Sequence, residues 1–354
     1  MSVPFTAAIL PSRNEPATIA AVTTAADQAT GEGAVIVHAD SSDTPDTAAR
    51  FAATLTRAGK IALTGLPRGK GAQILAALQH PELADAEAVL IADTDTRTPT
   101  PGLYRALLDQ VHGGAAFAIA DYPRYWDEAN LTNHLARPLI AATTGLDVPQ
   151  PLAGDLAISR RALDAVTRTA ATLPPDLTQC VDGYGIDAFL LVTAAATGPV
   201  ASVRTDVPKR HAASFPHLPV IFHQAVPVLL HLTAPRTPPP APGLGSPSPY
   251  RTDDRVLTPD RLTAMLTMLR DLSSQPHRYD DGRPWPLPVA DAWRAINSGA
   301  PPVEAAAELW PHYLHRVHGW LTRAQHLTAR HRADQLAAAH VRLHTDLTSA
   351  GAST

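Results

Sequence analysis

From the first residues to about position 205, short apolar runs alternate with longer stretches of helical periodicity, the spacing expected of an α/β chain. Ala7-Ala8-Ile9-Leu10 predicts a first strand, and Asn14 can cap a following helix with Pro16 in its first turn. Ala34-Val35-Ile36-Val37 predicts a second strand, followed by a polar loop and a helix through Leu55. Ile61-Ala62-Leu63 is a third, then Gly69-Lys70-Gly71 and a helix through Leu78. Val89 to Ala92 is a fourth and Phe117 to Ala120 a fifth. Unbroken aliphatic runs of this kind fit strands buried on both faces. Each strand ends in a polar loop before the next helix, so a doubly wound sheet would gather these loops along one edge.

After this region the pattern changes. Residues 235–249 are dominated by Pro with Gly and Ser and cannot form helix or central strand. Beyond them Thr258-Pro259-Asp260 opens a helix with Leu262, Met265, Leu266 and Leu269 at helical spacing, and residues 302–347 predict one or two further amphipathic helices. The expected organisation is an α/β domain over 1–234, a Pro-rich linker or loop over 235–257, and a helical C-terminal region over 258–354 that packs on the first domain or builds a dimer contact.

Composition narrows the function classes. A net charge of −4 over 354 residues argues against broad electrostatic nucleic-acid binding. The single cysteine, Cys180, excludes an internal disulfide framework and a Cys-based zinc site. Met1-Ser2-Val3-Pro4 shows no leader pattern. The apolar stretch Leu218–Leu232, interrupted by His223, Gln224 and Pro227, is expected to be too short for a membrane span. A soluble, cytoplasmic protein with small-molecule substrates, no nucleic-acid or membrane partner, and a homodimeric state is the expectation.

Four strand-end loops hold the candidate chemistry: Asn14-Glu15, Asp40, Gly69-Lys70-Gly71 and Asp93-Thr94-Asp95. Acids in such loops can accept hydrogen bonds from a ribose or a base edge. Glycines flanking Lys70 permit close backbone approach, and the lysine supplies a point charge for phosphate. Two aspartates spaced i, i+2 at a strand end suit a hard divalent cation that keeps waters and binds diphosphate. The residues alone leave alternatives open: a surface turn for the aspartates and an ordinary loop for Gly-Lys-Gly. There is no Gly-x-x-x-x-Gly-Lys-[Ser/Thr] and no Gly-x-Gly-x-x-Gly after the first strand, so neither a P-loop nor a dinucleotide site is expected.

Several motifs together carry a resemblance. Ile9-Leu10-Pro11-Ser12-Arg13-Asn14-Glu15, the loop from Asp40 to Ala48, and Asp93-Thr94-Asp95 resemble the corresponding segments of nucleotide-sugar glycosyltransferases with the GT-A fold. Gln150-Pro151-Leu152-Ala153-Gly154-Asp155, Arg160-Arg161 and Gly183-Tyr184-Gly185-Ile186-Asp187 are more narrowly similar to the glucosyl-3-phosphoglycerate synthase and mannosylglycerate synthase group, over roughly residues 5–225. The resemblance implies a GT-A fold, Rossmann-like, with a mostly parallel sheet flanked by helices. It implies Mg²⁺ or Mn²⁺ held by Asp95, with Asp93 beside it, and by His211, with His217 and His223 as fallback ligands. It implies that Pro11, Arg13, Glu15, Asp40, Lys70, Asp93, Thr94, Leu152, Gly154 and Asp155 bind the nucleoside diphosphate sugar. Tyr184 and Asp187 would face acceptor and donor sugar, with Lys70 on the diphosphate, and Asn130 and Thr132 would bind acceptor.

Three positions depart from the family pattern. Asp155 and Asp187 stand where Glu is common, and Asn130 stands where the phosphoglycerate enzymes place an Arg for the acceptor phosphate. Asn cannot replace a bidentate guanidinium for a dianion, so the expected acceptor is glycerate or another small hydroxylated molecule. The expected reaction is retaining transfer of a hexose from UDP-glucose, GDP-glucose or GDP-mannose. The rival readings are a sugar nucleotidyltransferase, whose Gly-rich loop after the first strand is missing here, and a noncatalytic nucleotide-sugar-binding protein.

Overall fold

The computed structural model describes residues 5–211, 213–234, 247–273 and 283–349. Seven strands, β1 (Thr6–Ser12), β2 (Val35–Asp40), β3 (Gly59–Leu63), β4 (Ala88–Ile91), β5 (Phe117–Asp121), β6 (Leu156–Ser159) and β7 (Val200–Arg204), form one sheet in the order β3-β2-β1-β4-β6-β5-β7. Only β6 runs antiparallel to its neighbours. The α/β expectation and the five anticipated strands hold. The short strand β6 and the edge strand β7 are additions.

Helices α1 (Ile19–Thr30), α2 (Asp46–Ala53), α3 (Lys70–Leu78) and α4 (Pro101–His112) alternate with the first five strands. After α5 (Arg137–Thr144) come α6 (Arg160–Ala170), α7 (Pro175–Asp182) and α8 (Gly185–Ala195). Ala8, Leu10, Ile36 and Leu90 on one face of the sheet pack with Ile19, Val22 and Ala26 of α1 and Leu103 and Leu107 of α4. Ala7, Ile9, Val37, Val89 and Ile91, pointing the other way, are equally buried. Burial on both faces is why these strands read as unbroken aliphatic runs.

The expected cap at Asn14 does not form. Asn14 takes a positive φ of 60° and exchanges hydrogen bonds with Asp43, its Nδ2 donating to Oδ2 at 2.9 Å and its Oδ1 accepting from the Asp43 N–H at 2.9 Å. Residues 15–18 form a turn, and the helix starts at Ile19 with Thr18 in the capping place.

The chain divides into two compact units, Met1–Tyr122 with Leu152–Ser214, and Pro123–Pro151 with Phe215–Thr354. This division differs from the boundary expected at 234, because the segment after β5 belongs to the second unit before the chain returns to the sheet at β6. In the second unit, α9 (Leu218–Thr233) packs against α11 (Leu287–Asn297) and α12 (Pro302–Ala324), α10 (Pro259–Ser273) packs against α12, and α13 (Ala329–Ser349) packs against α5. Met265 and Leu269 form the buried side of α10. The expected linker falls mostly on residues 235–246, outside the described residues. The apolar stretch is longer than expected: with the turn before α9 it forms a helix over Phe215–Thr233, long and apolar enough by length and composition to cross a membrane. Nearly half of it is buried within the structure.

Candidate active site

The strand order reverses between β1 and β4, and Asp93 lies just past the carboxyl end of β4, at the switch point where open α/β sheets bind ligands. The antiparallel strand β6 begins at that same edge. Its register pairs Ile91 with Leu156 and Leu90 with Ala157. Continued past the strand ends, that register sets Gly154 opposite Asp93. A Cβ built on Gly154 would lie 2.0 Å from Oδ2 and 2.2 Å from Oδ1 of Asp93, so only glycine allows this carboxylate to lie against the backbone.

Asp93 is held by two lysines. Lys70 Nζ lies 2.8 Å from its Oδ1 and Lys209 Nζ 2.7 Å from its Oδ2. Lys70 also contacts Asp187 Oδ1 at 2.8 Å, and Lys209 contacts Asp155 Oδ2 at 2.8 Å. Asp155 is fully buried and satisfied: it further accepts from the Asp93 backbone N–H at 3.0 Å and from Tyr122 Oη at 2.5 Å. Burial alone would raise the Asp93 pKa, but Lys209 and then Lys70 overcome it and hold the carboxyl far below its ordinary value. Burial likewise opposes the charge on Lys70, and Asp187 and Asp93 outweigh it, so this ammonium stays protonated. Asp187 is pushed up to about 6, by burial first and against the pull of Lys70.

The Gly-Lys-Gly loop is built for this contact. A Cβ on Gly71 would sit 1.7 Å from the Val181 carbonyl oxygen, and the Gly71 N–H donates to the Gly183 oxygen at 3.2 Å. The close approach foreseen for these glycines is therefore to the chain at 181–183, and it brings Lys70, at the start of α3, to Asp187 on α8. Tyr184 lies in the same turn with 38% of its surface exposed.

Asp95 and His211 stand together beside this cluster. The Arg97 N–H donates to the Arg210 oxygen at 2.8 Å, which holds the segment after β7 against the aspartate loop. His211 Nδ1 is 3.8 Å from Asp95 Oδ2. Ligand bonds of about 2.1 Å place two adjacent ligands of one octahedral ion roughly 3.0 Å apart, so the two side chains would have to close by somewhat under about 1 Å to share a cation. Burial, and Asp93 next, raise the Asp95 pKa, and the pull of Lys209 and Lys70 does not offset them. Four carboxylates (Asp93, Asp95, Asp155 and Asp187) face two ammonium groups, a formal excess of two negative charges. An oxygen and nitrogen donor set in such a field suits Mg²⁺ or Mn²⁺ with waters and diphosphate oxygens completing the shell.

The three-ligand set expected from the sequence does not form. Among the described residues no three His, Cys, Asp or Glu side chains converge on a metal position. Asp93 is the member that departs, because both of its oxygens are taken by lysines. Of the residues expected on the donor, Asp155 is enclosed, and Thr94 Oγ1 donates to the Pro11 oxygen at 2.7 Å, tying the loop after β4 to β1. Lys209 was not singled out by sequence reasoning, since one lysine in Pro208-Lys209-Arg210-His211 carries no periodic or spacing signal. Gln73 was missed as well; its Nε2 donates to the Ser12 oxygen at 2.6 Å and to Ser41 Oγ at 2.7 Å, pinning the first two loops.

Across those loops Asp40 Oδ1 accepts from the Ser42 N–H at 3.0 Å, and Asp43 pairs with Arg13 at 3.3 Å and Arg68 at 2.6 Å. Glu15 accepts from Thr18 Oγ1 at 3.2 Å, and its pKa is raised by burial and then by Asp95. Pro11 and Asp40 at the ends of β1 and β2, Glu15 and Gly154 in loops, and Lys70 at the start of α3 thus lie at one sheet edge, with Arg13 exposed and Leu152 partly buried. Asn130 and Thr132 belong to the second unit and are each 6% exposed, and Asn130 Nδ2 donates to the Asp127 oxygen at 2.9 Å. His217 and His223 also fall in that unit, where His223 packs 5.0 Å from the Trp310 ring.

No family model matches the sequence, and no curated protein matches it at a significant level. Solved structures do. A Mycobacterium tuberculosis glucosyl-3-phosphoglycerate synthase in complex with Mn²⁺, UDP and glucosyl-3-phosphoglycerate is 23% identical, with 67% of this chain and 82% of that one covered and a TM-score of 0.52. The same enzyme with Mn²⁺, UDP-glucose and glycerol 3-phosphate is 24% identical over the same shares, with a TM-score of 0.51. In the complex with phosphoglyceric acid the values are 24%, 67%, 82% and 0.51. At this level of identity the likeness speaks for the fold, and the chain takes the GT-A fold that its sequence motifs implied.

Proposed function

We propose that this chain is a divalent-metal-dependent glycosyltransferase that moves a hexose from a nucleoside diphosphate sugar to a hydroxyl of a small acceptor, with retention at the anomeric carbon. The observation that carries this reading is the Asp95–His211 pair, 3.8 Å apart, next to the Lys70–Asp93–Lys209–Asp155 cluster at the switch point of the sheet. The solved enzymes of the same fold carry Mn²⁺ with UDP or UDP-glucose, which supports the same donor class here.

Asp95 and His211 would hold the cation. When bound, it would neutralise charge on the diphosphate as that group departs, the electrostatic contribution expected to dominate. Lys70 is placed to follow the same charge, because its ammonium is fixed between Asp93 and Asp187 and needs little reorganisation to meet a phosphate oxygen. Asp187, 11% exposed in its side chain and 2.8 Å from Lys70, would orient the sugar or acceptor hydroxyl and stabilise positive charge at the anomeric carbon. Double displacement needs a carboxylate close beneath the sugar. Same-face attack, with the leaving phosphate taking the acceptor proton, asks for no such residue and is the mechanism we favour.

We propose glycerate or another small hydroxylated molecule as acceptor, because Asn130 stands where an arginine would be needed for a phosphate dianion. The test is a screen of UDP-glucose, GDP-glucose and GDP-mannose against glycerate, 3-phosphoglycerate and aminocyclitols, with Mn²⁺ and with Mg²⁺. We expect nucleoside diphosphate release coupled to one non-phosphorylated acceptor. Faster transfer to 3-phosphoglycerate would refute the acceptor assignment, and pyrophosphate release from a nucleoside triphosphate would refute the reaction.

A further inference from the structure

The second unit contains a stretch rich in basic residues and free of acids. From Leu309 to Ala333 there is no Asp or Glu, while five histidines and four arginines occur, in a protein of net charge −4. Arg332 is paired with Asp254. Arg316 and Arg323 make no ion pair with a carboxylate among the described residues. They stand seven residues apart on α12, two turns along one helix face, with Gly319 and Trp320 between them.

Arg316 is fixed on its inner side. Its Nε donates to His134 Nδ1 at 3.4 Å, and its guanidinium carbon lies 5.8 Å from the centre of the Trp320 ring. Trp320 is anchored by its Nε1–H donating to the Trp126 oxygen at 2.8 Å, and His134, 2% exposed, packs edge-on against it with ring centres 5.0 Å apart. Burial, then Arg316, keep the His134 pKa well below its ordinary value, so its Nδ1 stays available as an acceptor. Arg323 folds back over Gly319: a Cβ built there would lie 3.1 Å from its Nη1 and 3.2 Å from its Nη2. Burial first and Arg323 second pull the Arg316 pKa down to about 10, the mark of a cation short of a counter-ion.

We propose that Arg316 and Arg323 form a binding site for a small oxyanion, a carboxylate or a phosphate, in the second unit. Each guanidinium presents a planar fork matched to a pair of oxygens, and charge-assisted bonds of this kind are the strong ones. His134 and Trp320 have already restricted Arg316, so little side-chain entropy remains to be lost on binding. The site lies wholly on α12 and the turn containing His134 and is independent of the donor-site reading.

The test uses the full chain, titrated with inorganic phosphate and separately with glycerate at matched ionic strength, read by calorimetry and tryptophan fluorescence. Saturable binding is expected, weakened about tenfold or more by Arg316→Met and by Arg323→Met and unchanged by Arg330→Met, as the loss of a charge-assisted hydrogen bond requires. The tighter of the two ligands identifies the oxyanion. Arg323 is exposed, so Arg323→Met keeps the test open if Arg316→Met fails to fold. Absence of saturable binding for both ligands overturns the proposal, as does wild-type affinity in folded Arg316→Met and Arg323→Met. Binding lost in Lys70→Met but kept in both arginine variants would locate the anion at the Asp93 cluster and overturn it equally.

Discussion

Replacing Lys209 with methionine isolates the ionic role of the most enclosed cation in the candidate site, because the aliphatic stem is kept and only the ammonium is lost. Lys209 is 3% exposed in its side chain and bridges Asp93 at 2.7 Å and Asp155 at 2.8 Å. It also lies 5.7 Å from the centre of the Tyr122 ring. Without it, Asp155, which is fully buried, loses its cation and Asp93 keeps only Lys70. Removing one partner of a buried pair costs about 3–5 kcal/mol, because the remaining charge is left uncompensated. For a folding unit of 150–250 residues each kcal/mol moves the melting temperature by roughly 2–4 °C, so a fall of roughly 6–20 °C is expected. Arg13→Met is the control: its pair with Asp43 is 46% and 42% exposed, and exposed pairs contribute about 0–1 kcal/mol. Thermal denaturation followed by circular dichroism reads both. Adding Asp155→Asn to Lys209→Met should recover part of the loss, since it removes the orphaned charge. A fall below about 2 °C for Lys209→Met, or an equal fall for Arg13→Met, would refute the reasoning.

Three further outcomes follow from the same geometry. Gly154→Ala forces the Asp93 carboxylate away from its lysines, because the new methyl would lie 2.0 Å from Oδ2; we expect donor binding to weaken about tenfold or more by calorimetry, in line with losing charge-assisted contacts. Tyr122→Phe removes the 2.5 Å hydrogen bond to Asp155 and should lower stability by about 1.5–3 kcal/mol in urea denaturation, the range for bonds to charged groups. Asp187 has its pKa raised to about 6 in the folded protein, so it favours folding below the unfolded value of about 3.9, and that contribution is lost as pH rises through about 6. In Asp187→Asn this part of the stability–pH slope should disappear between those values, and an unchanged slope would assign it to another group.

The sheet was legible wherever burial on both faces produced continuous aliphatic sequence, as in Ala7–Leu10 and Val89–Ala92. It was not legible in β6, whose four residues Leu156–Ser159 are too short for a period, nor in β7, an edge strand of mixed polarity. Asn14 read as a helix cap because that residue type favours caps, and tertiary hydrogen bonds to Asp43 claimed it instead. The Asp-Thr-Asp step read as a paired ligand because spacing reports proximity but not direction. Two lysines distant in sequence decide where Asp93 points, and only Asp95 is left facing His211. Lys209 and Gln73 act through long-range contacts, so neither leaves a local trace.

The most direct test of the donor-site reading is calorimetric titration of UDP-glucose and GDP-mannose into the full chain, with Mn²⁺ and with EDTA, in the wild type and in Asp95→Ala. We expect saturable binding of one donor with Mn²⁺, lost or greatly weakened in EDTA and in a folded Asp95→Ala protein. Equal donor affinity with and without the metal, or in the variant, would contradict the assignment of Asp95 and His211 as the cation-holding pair.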